Sequence, residues 1–328
     1  MVPKAQHGFV LVATLWILAI ITIAAGYFAE RVSRAIELAQ QKKTAAEQLV
    51  EFANTRADIL YRLGTTRFSF YGLGEAPAIA LDDTAYRGSG DDIIRLQDND
   101  GLLNLNFIQS QMMSNLLGQL EVPIEKHDAM IDTLRDYIDT DDLRRLNGAE
   151  SAEYSALGLP LPPNDWLATP YQLKNIIGWR DYTALWENQR LLRFVTTSRL
   201  SAFNPNTAPL EVLASLPGVN QKAAEAFIAL RNEKPAYSLA QLVGYAPGIL
   251  EPEFFYFFPG NSIRITQQSQ GLPWAVQYSL TLTPLDERAP WRIDYYVKIS
   301  SNYSVENIDK VQKLPTRKLA SSNGGETL

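Results

Sequence analysis

FVLVATLWILAIITIAAGYFA, residues 9–29, holds no charged side chain, and its reading decides how the rest of the chain is understood. At about 1.5 Å rise per residue, a helix of this length crosses a hydrocarbon core of about 30 Å. Ahead of it stand Met1-Val2-Pro3-Lys4-Ala5-Gln6-His7-Gly8, with one fixed positive charge at Lys4. A secretory signal would have a shorter apolar region followed by small residues at a cut site. Here the apolar run is long and the expected cut lies in front of it, between Gly8 and Phe9. The apolar helix would then stay on the mature protein as a working part.

This layout resembles the leader of type IV pilins and type II secretion pseudopilins. In that family a membrane peptidase cuts after a glycine, usually before a phenylalanine, and methylates the new amino terminus. The resemblance therefore assigns processing to Gly8 and Phe9, residues 1–8 as leader, and a prepilin peptidase as partner. Family members usually carry Glu at the fifth mature position, where it neutralises a neighbouring subunit's amine inside the low-dielectric fibre core. Here that position is Ala13. Within the family this absence marks the K-type minor subunit, suited to a place where nothing lies above it. The competing reading of the anchor is an ordinary membrane helix.

Charge around the span argues the other way on orientation. Glu30, Arg31, Arg34, Lys42 and Lys43 follow it, and a positive-inside count would leave the long C-terminal part in the cytoplasm. Long domains translocate regardless of such charges, and the resemblance implies an inner-membrane, single-pass protein with its C-terminal domain in the periplasm. The net charge of −6 argues against a polyanion-binding surface. With no cysteine there is no disulfide framework, thiol nucleophile or cysteine-ligated metal.

Beyond the span, Val32, Ala35, Ile36, Ala39, Ala46, Leu49, Val50, Ala53, Ala57 and Leu60 recur at three- and four-residue steps. That is one face of a helix continuing from the anchor, over residues 9–63. Gly64 is its stop signal. Residues 64–106 read as short strands and loops, with Ile93–Gln97 a strand, Asp98-Asn99-Asp100-Gly101 a turn and Leu102–Leu105 a returning strand. Residues 107–260 read as helical, in lobes 107–200 and 203–260. Helices are expected at Phe107–Leu120, at Glu125–Ile138 with His127 and four aspartates on its polar side, and after Thr169-Pro170 by Thr capping. Residues 261–312 return to strands, where Trp274 to Leu282 and Trp291 to Ile299 alternate as a hairpin with a buried aromatic face. Residues 313–328 are expected to be disordered.

Two motifs invite chemistry. Asp136-Tyr137-Ile138-Asp139-Thr140-Asp141, then Gly148-Ala149-Glu150 and Tyr154, resembles the helical domain of K-type subunits. Asp139 and Glu150 have the first-to-last spacing of an EF-hand loop, but Leu143, Arg144 and Arg145 occupy positions that should donate oxygen or turn. The resemblance implies a looser calcium site drawn from Asp139, Asp141, Asp142, Glu150 and Glu153; the alternative is a solvated acidic helix end neutralised by Arg144 and Arg145. The second motif runs from Asn204-Pro205-Asn206-Thr207 through Leu216-Pro217-Gly218-Val219-Asn220-Gln221-Lys222. It is similar to helix-hairpin-helix modules, with Thr207 as expected cap and Gly218 and Lys222 as the phosphate-contacting candidates of a membrane-anchored DNA receptor. Asn220 replaces the second hairpin glycine and Glu225 lies beside the lone cation, which disfavours that use.

The expected fold is therefore α+β: a pilin-like long N-terminal transmembrane helix packed on an antiparallel sheet, interrupted by a large all-α, SAM-like or helix-hairpin-helix-like insertion. The resemblance to type II secretion K subunits spans nearly the whole chain. It implies a non-catalytic subunit that caps a pseudopilus tip and initiates its assembly. Its implied partners are the I- and J-type minor pseudopilins, the major pseudopilin, the inner-membrane assembly platform, and secreted substrate or the outer-membrane secretin. A minor subunit of a type IV pilus shares the anchor but should not need the helical insertion. No hydrolase elbow, phosphate loop or zinc-binding helix is present in the sequence.

Overall fold

The computed structural model describes residues 7–244, 252–269, 272, 274–300 and 311–315. Residues 1–6 of the expected leader and 316–328 of the expected tail lie outside the described residues. Between Phe9 and Leu63 the chain has no proline and a single glycine, Gly26, so nothing interrupts the i→i−4 ladder. Helix α1 accordingly runs His7–Thr65. The chain divides into two compact units, Met1–Glu51 and Phe52–Leu328.

In the first unit the described residues are all helix, and Val32, Ile36, Leu49 and Val50 are exposed. In the second unit the packing face of α1 is rotated from the expected one. Phe52, Thr55, Ile59 and Leu63 are buried, while Ala53 and Ala57 are exposed and Leu60 is half-buried. The larger side chains win the core: Phe52 meets Trp274 edge-on at 5.7 Å.

After α1 come β1 (Phe68–Ser69) and β2 (Gly72–Leu73), a short antiparallel pair. A six-stranded sheet follows, built from β3 (Asp82–Arg87), β4 (Asp92–Asp98), β7 (Ser262–Ser269), β8 (Trp274–Leu282), β9 (Trp291–Ser300) and β10 (Gln312–Lys313). Its order is β10-β3-β4-β7-β8-β9, antiparallel except that β10 runs parallel to β3. Lys313, expected at the start of the disordered tail, pairs with Arg87, and Leu314 packs on the sheet core.

Asp98 at the end of β4 pairs with Ile263 at the start of β7. Everything from Asn99 to Asn261 therefore leaves the sheet between two hydrogen-bonded neighbours. The expected return strand at Leu102–Leu105 does not rejoin β4. Both flanks of β4 are already filled by β3 and β7, and a 3-10 turn at Asn99–Gly101 carries the chain away. Instead β5 (Leu103–Asn104) pairs in parallel with β6 (Val195–Thr196) inside the insertion.

The insertion contains α2 (Ser110–Gln119), α3 (Ile124–Ile138), α4 (Ser151–Ala156), α5 (Leu210–Ser215), α6 (Gln221–Glu233) and α7 (Leu239–Val243). Thr169 caps the next turn as expected, with Pro170 in first place, but the turn is 3-10 over Pro170–Asn175. Thr207 does not cap α5, whose N-cap is Pro209. The insertion has its own core around Leu116, Leu134, Tyr154, Trp179 and Phe227, separate from the core of α1 and the sheet around Ile59, Ile94, Ile265 and Leu280.

The sheet is two-faced. Ile94, Leu96, Ile263, Ile265, Val276, Tyr278 and Leu280 point into the α1 core. The alternate residues, Gln97, Arg264, Gln277 and Ser279, are also buried. Contacts from the insertion explain this: Arg264 Nη1 donates to Leu192 O and Nη2 to Arg193 O, both at 2.8 Å. Gln97 Nε2 donates to Thr207 O at 3.0 Å, and Tyr171 Oη donates to Gln277 Oε1 at 3.2 Å. On edge strand β9 the expected buried face is half open: Ile293 is exposed, Trp291, Tyr295 and Val297 are half-buried and Ile299 is buried, with a bulge opposite Ser279–Leu280.

Candidate functional site

The anchor supplies the first functional element. Its most apolar window has a mean hydropathy of 2.3 and is 0% buried within the chain. Thr14 and Thr22 return their hydroxyls to Leu11 O and Leu18 O at 2.8 Å, so neither exposes an unmet donor. The first turn has no acidic residue, and position 13 is an alanine. Charges begin at Glu30, which pairs with Arg34 at 2.5 Å.

The second element is the acidic loop between α3 and α4. Asp136, expected on the open polar side of α3, is fully buried. It receives Arg145 Nη1 at 2.6 Å and the Arg145 backbone N–H at 3.1 Å. The same guanidinium donates to Asp139 Oδ2 at 2.5 Å. Gly148 is required here, because a Cβ at this position would overlap the Asp136 carboxylate. Glu150 is the N-cap of α4 and is 4% exposed; it faces the Glu153 backbone in a capping box, yet neither of its carboxylate oxygens makes a hydrogen bond of good geometry. Asp139 Oδ1 is buried and unpartnered as well. Burial, reinforced by the charges of Asp136, Asp139, Asp142 and Asp141, pushes the Glu150 carboxyl up to about 7.

Of the five expected ligands, the structure brings Asp139 and Glu150 together with Asp136. The others have partners of their own. Asp141 Oδ1 accepts from the Leu143 N–H at 2.9 Å, and Asp142 Oδ1 accepts from Ser151 Oγ at 3.1 Å. Glu153 accepts from Arg144 at 2.9 Å and from the Glu150 N–H at 2.9 Å. Among the described residues no three or more His, Cys, Asp or Glu side chains are disposed to hold a metal ion without rearrangement. Sequence reasoning offered Arg145 as a neutralising neighbour, and it pairs with Asp136 and Asp139, but it missed Asp136 as the buried centre of the loop. The available signal was the one-turn spacing of Asp136 and Asp139.

The helix-hairpin-helix motif is present, with Gly218 at φ +78° in the turn. Asn220 is the N-cap of α6, and its Oδ1 accepts from the Ala223 N–H at 2.9 Å. A helix-terminal amide that would meet a phosphate is thus already satisfied, and Lys222 stands exposed beside it. His127 is buried rather than on an open polar face, held by Ser114 Oγ at 2.8 Å and Val122 O at 2.9 Å.

The third element joins the lobes. Asp98, fully buried, accepts from the N–H groups of Asp100 and Gly260, from Asn204 Nδ2 at 2.9 Å and from Thr207 Oγ1 at 3.0 Å. Asn99 Nδ2 donates to Ser262 Oγ and Ser279 Oγ, both at 2.8 Å. Burial raises both carboxyls, and the charge of Asp98 raises Asp100 further. Asp98 and Asp100 are turn formers, as the sequence suggests, and they also fasten the insertion to the sheet.

Residues 92–198 match the family model of the type II secretion system, protein K. A chain in the crystal structure of the GspK-GspI-GspJ complex, from the enterotoxigenic Escherichia coli type 2 secretion system, has a similar fold. The TM-score is 0.52 at 15% identity, over 83% of this chain and 100% of that chain. No curated protein matches the sequence. Residues 92–198 thus match the type II secretion system protein K model, on a chain whose α+β fold is similar to that of a chain of the GspK-GspI-GspJ complex and which carries an apolar N-terminal helix.

Proposed function

We propose that this chain is a minor pseudopilin of the type II secretion system that stands at the pseudopilus tip with I- and J-type partners. The observation that carries this reading is the joint occurrence of a match to the protein K model and an unburied apolar helix without an acid at position 13. Buried in a fibre core of low dielectric, that helix has no carboxylate to meet an ammonium group above it, so it fits a terminal place. The head would lie in the periplasm, with the major pseudopilin below it and the assembly platform at its membrane end. Its work is assembly rather than catalysis: the bulky insertion would block addition of a further subunit.

Processing at Gly8-Phe9 and methylation of Phe9 belong to the same reading. Intact mass of the membrane-extracted protein tests it, comparing wild type with Gly8→Ala. Loss of residues 1–8 and gain of one methyl group, both blocked in the variant, is expected. An unprocessed chain in both would remove the reading's main support.

Calcium at the α3–α4 loop is the metal this reading implies. The three buried, unpartnered oxygens of Asp139 and Glu150 fit a hard, oxygen-seeking cation. Asp141 and Asp142, next in the loop, could join them. When bound, the ion would supply positive charge that Arg145 delivers only to Asp136 and Asp139.

A further inference from the structure

A cavity of about 440 Å³ opens where the polar face of the sheet meets the insertion, within the size range of small-ligand sites. Ser262, Ser279 and Thr281 of the sheet, residues 165–168, residues 196–199 and the edge strand β9 line it. None of these groups takes part in the anchor, the acidic loop or the hairpin.

Ser262 and Ser279 are buried, and each Oγ accepts a hydrogen bond from Asn99 Nδ2. A serine oxygen used as acceptor must send its own proton elsewhere, and neither hydroxyl has an acceptor among the described residues. Two donors therefore stand ready at the floor of the cavity. Thr281 Oγ1 donates to Asp294 Oδ2 at 2.7 Å, and Arg292 donates to Asp294 Oδ1 at 3.1 Å, which fixes a planar acceptor and donor side by side on the rim. Trp166 also lines the cavity, 43% exposed, its ring held edge-on by Phe107 at 5.2 Å.

The charges in the lining cancel: Asp165 and Asp294 against Arg199 and Arg292. An anion would meet the two carboxylates and a cation the two guanidinium groups. A neutral polyhydroxyl ligand, carrying donors and acceptors together with an apolar ring face for an indole, suits all of these groups at once. We propose that this cleft binds a neutral saccharide, with Trp166 as its stacking platform and Ser262 and Ser279 as donors to its oxygens.

The full chain in detergent micelles would be titrated by calorimetry and tryptophan fluorescence. The probes are an N-acetylglucosamine trimer, maltotriose and inorganic phosphate. Saturable binding of at least one trisaccharide is expected, weakened about tenfold or more by Trp166→Ala and by Ser279→Ala, with the melting temperature of Trp166→Ala within a few degrees of wild type. Absence of saturation by either trisaccharide up to about 10 mM would overturn the proposal. So would binding that survives both substitutions, or tighter binding of phosphate than of either glycan.

Discussion

Replacing Glu150 with Gln keeps the side-chain volume at the N-cap of α4 and removes the titration. In the folded chain the carboxyl is pushed up to about 7, chiefly by burial and then by the acids around it, from the ordinary glutamate value of 4.5. The folded state therefore holds the proton more tightly than the unfolded state. The stability this contributes is complete below the unfolded value and is lost as pH rises through about 7. At 1.36 kcal/mol per unit, that loss reaches about 3 kcal/mol in the absence of metal. For a folded unit of this size, about 3 kcal/mol corresponds to roughly 6–12 °C in melting temperature. The assay is thermal unfolding of the full chain in detergent with chelator, from pH 5 to pH 8. The melting temperature of wild type relative to the variant should fall by that amount across the range. Calcium added at pH 8 should raise wild type by about 3 kcal/mol at a hundredfold excess over its dissociation constant, and the variant by less. Parallel curves for the two proteins in chelator would refute the reasoning, because a buried, unpartnered carboxylate cannot ionise without cost.

Four further substitutions carry the remaining predictions. Asp100→Asn should already be somewhat more stable than wild type at pH 5, and the gap should widen at pH 8. The wild-type carboxyl, raised by burial and by Asp98, contributes stability at low pH that is lost as pH rises through its folded value, and denaturant midpoints at both pH values would show this. Gly148→Ala should cost about 2 kcal/mol in chemical denaturation, because the added methyl meets the Asp136 carboxylate that Arg145 holds in place. Ile59→Ala should cost about 3 kcal/mol and Leu60→Ala less than half of that, a direct check on which face of α1 packs.

The parts of the fold written in long, uninterrupted patterns were legible in the sequence. Helix α1 followed from a stretch without proline, and β8 and β9 from strict alternation. The expected packing face of α1 was off by one residue, because alanines at a helical period mark a stripe without showing which neighbouring stripe carries more area. Phe52 and Ile59 did. The alternation in β7 reads, from sequence, as one apolar and one wetted face, and an arginine at Arg264 strengthens that reading. Its burial depends on carbonyls of Leu192 and Arg193, some seventy positions away, and no local pattern announces them. The acidic loop was visible as composition, while Asp136 as its buried centre depended on the fold of Arg145 back onto α3.

The way the insertion is mounted bears on what such a subunit has to do. Strands β4 and β7 pair along their whole length, so the sheet and its core with α1 are complete without the residues between them. The insertion has a separate core, and its two chain crossings lie side by side. Two lobes joined in this way would move against each other unless the contacts between them fixed one orientation. The observed interface combines aromatic contacts, Phe70 against Tyr237 and Phe258, with hydrogen bonds from Gln97, Arg264, Tyr171 and the Asp98-Asn99 turn. Each hydrogen bond contributes only about 1 kcal/mol net, but each is lost if its partner moves by an ångström or so, leaving a buried group unmet. An interface of this kind sets one orientation of the insertion on the head, as the place proposed for this chain at the end of a fibre would require.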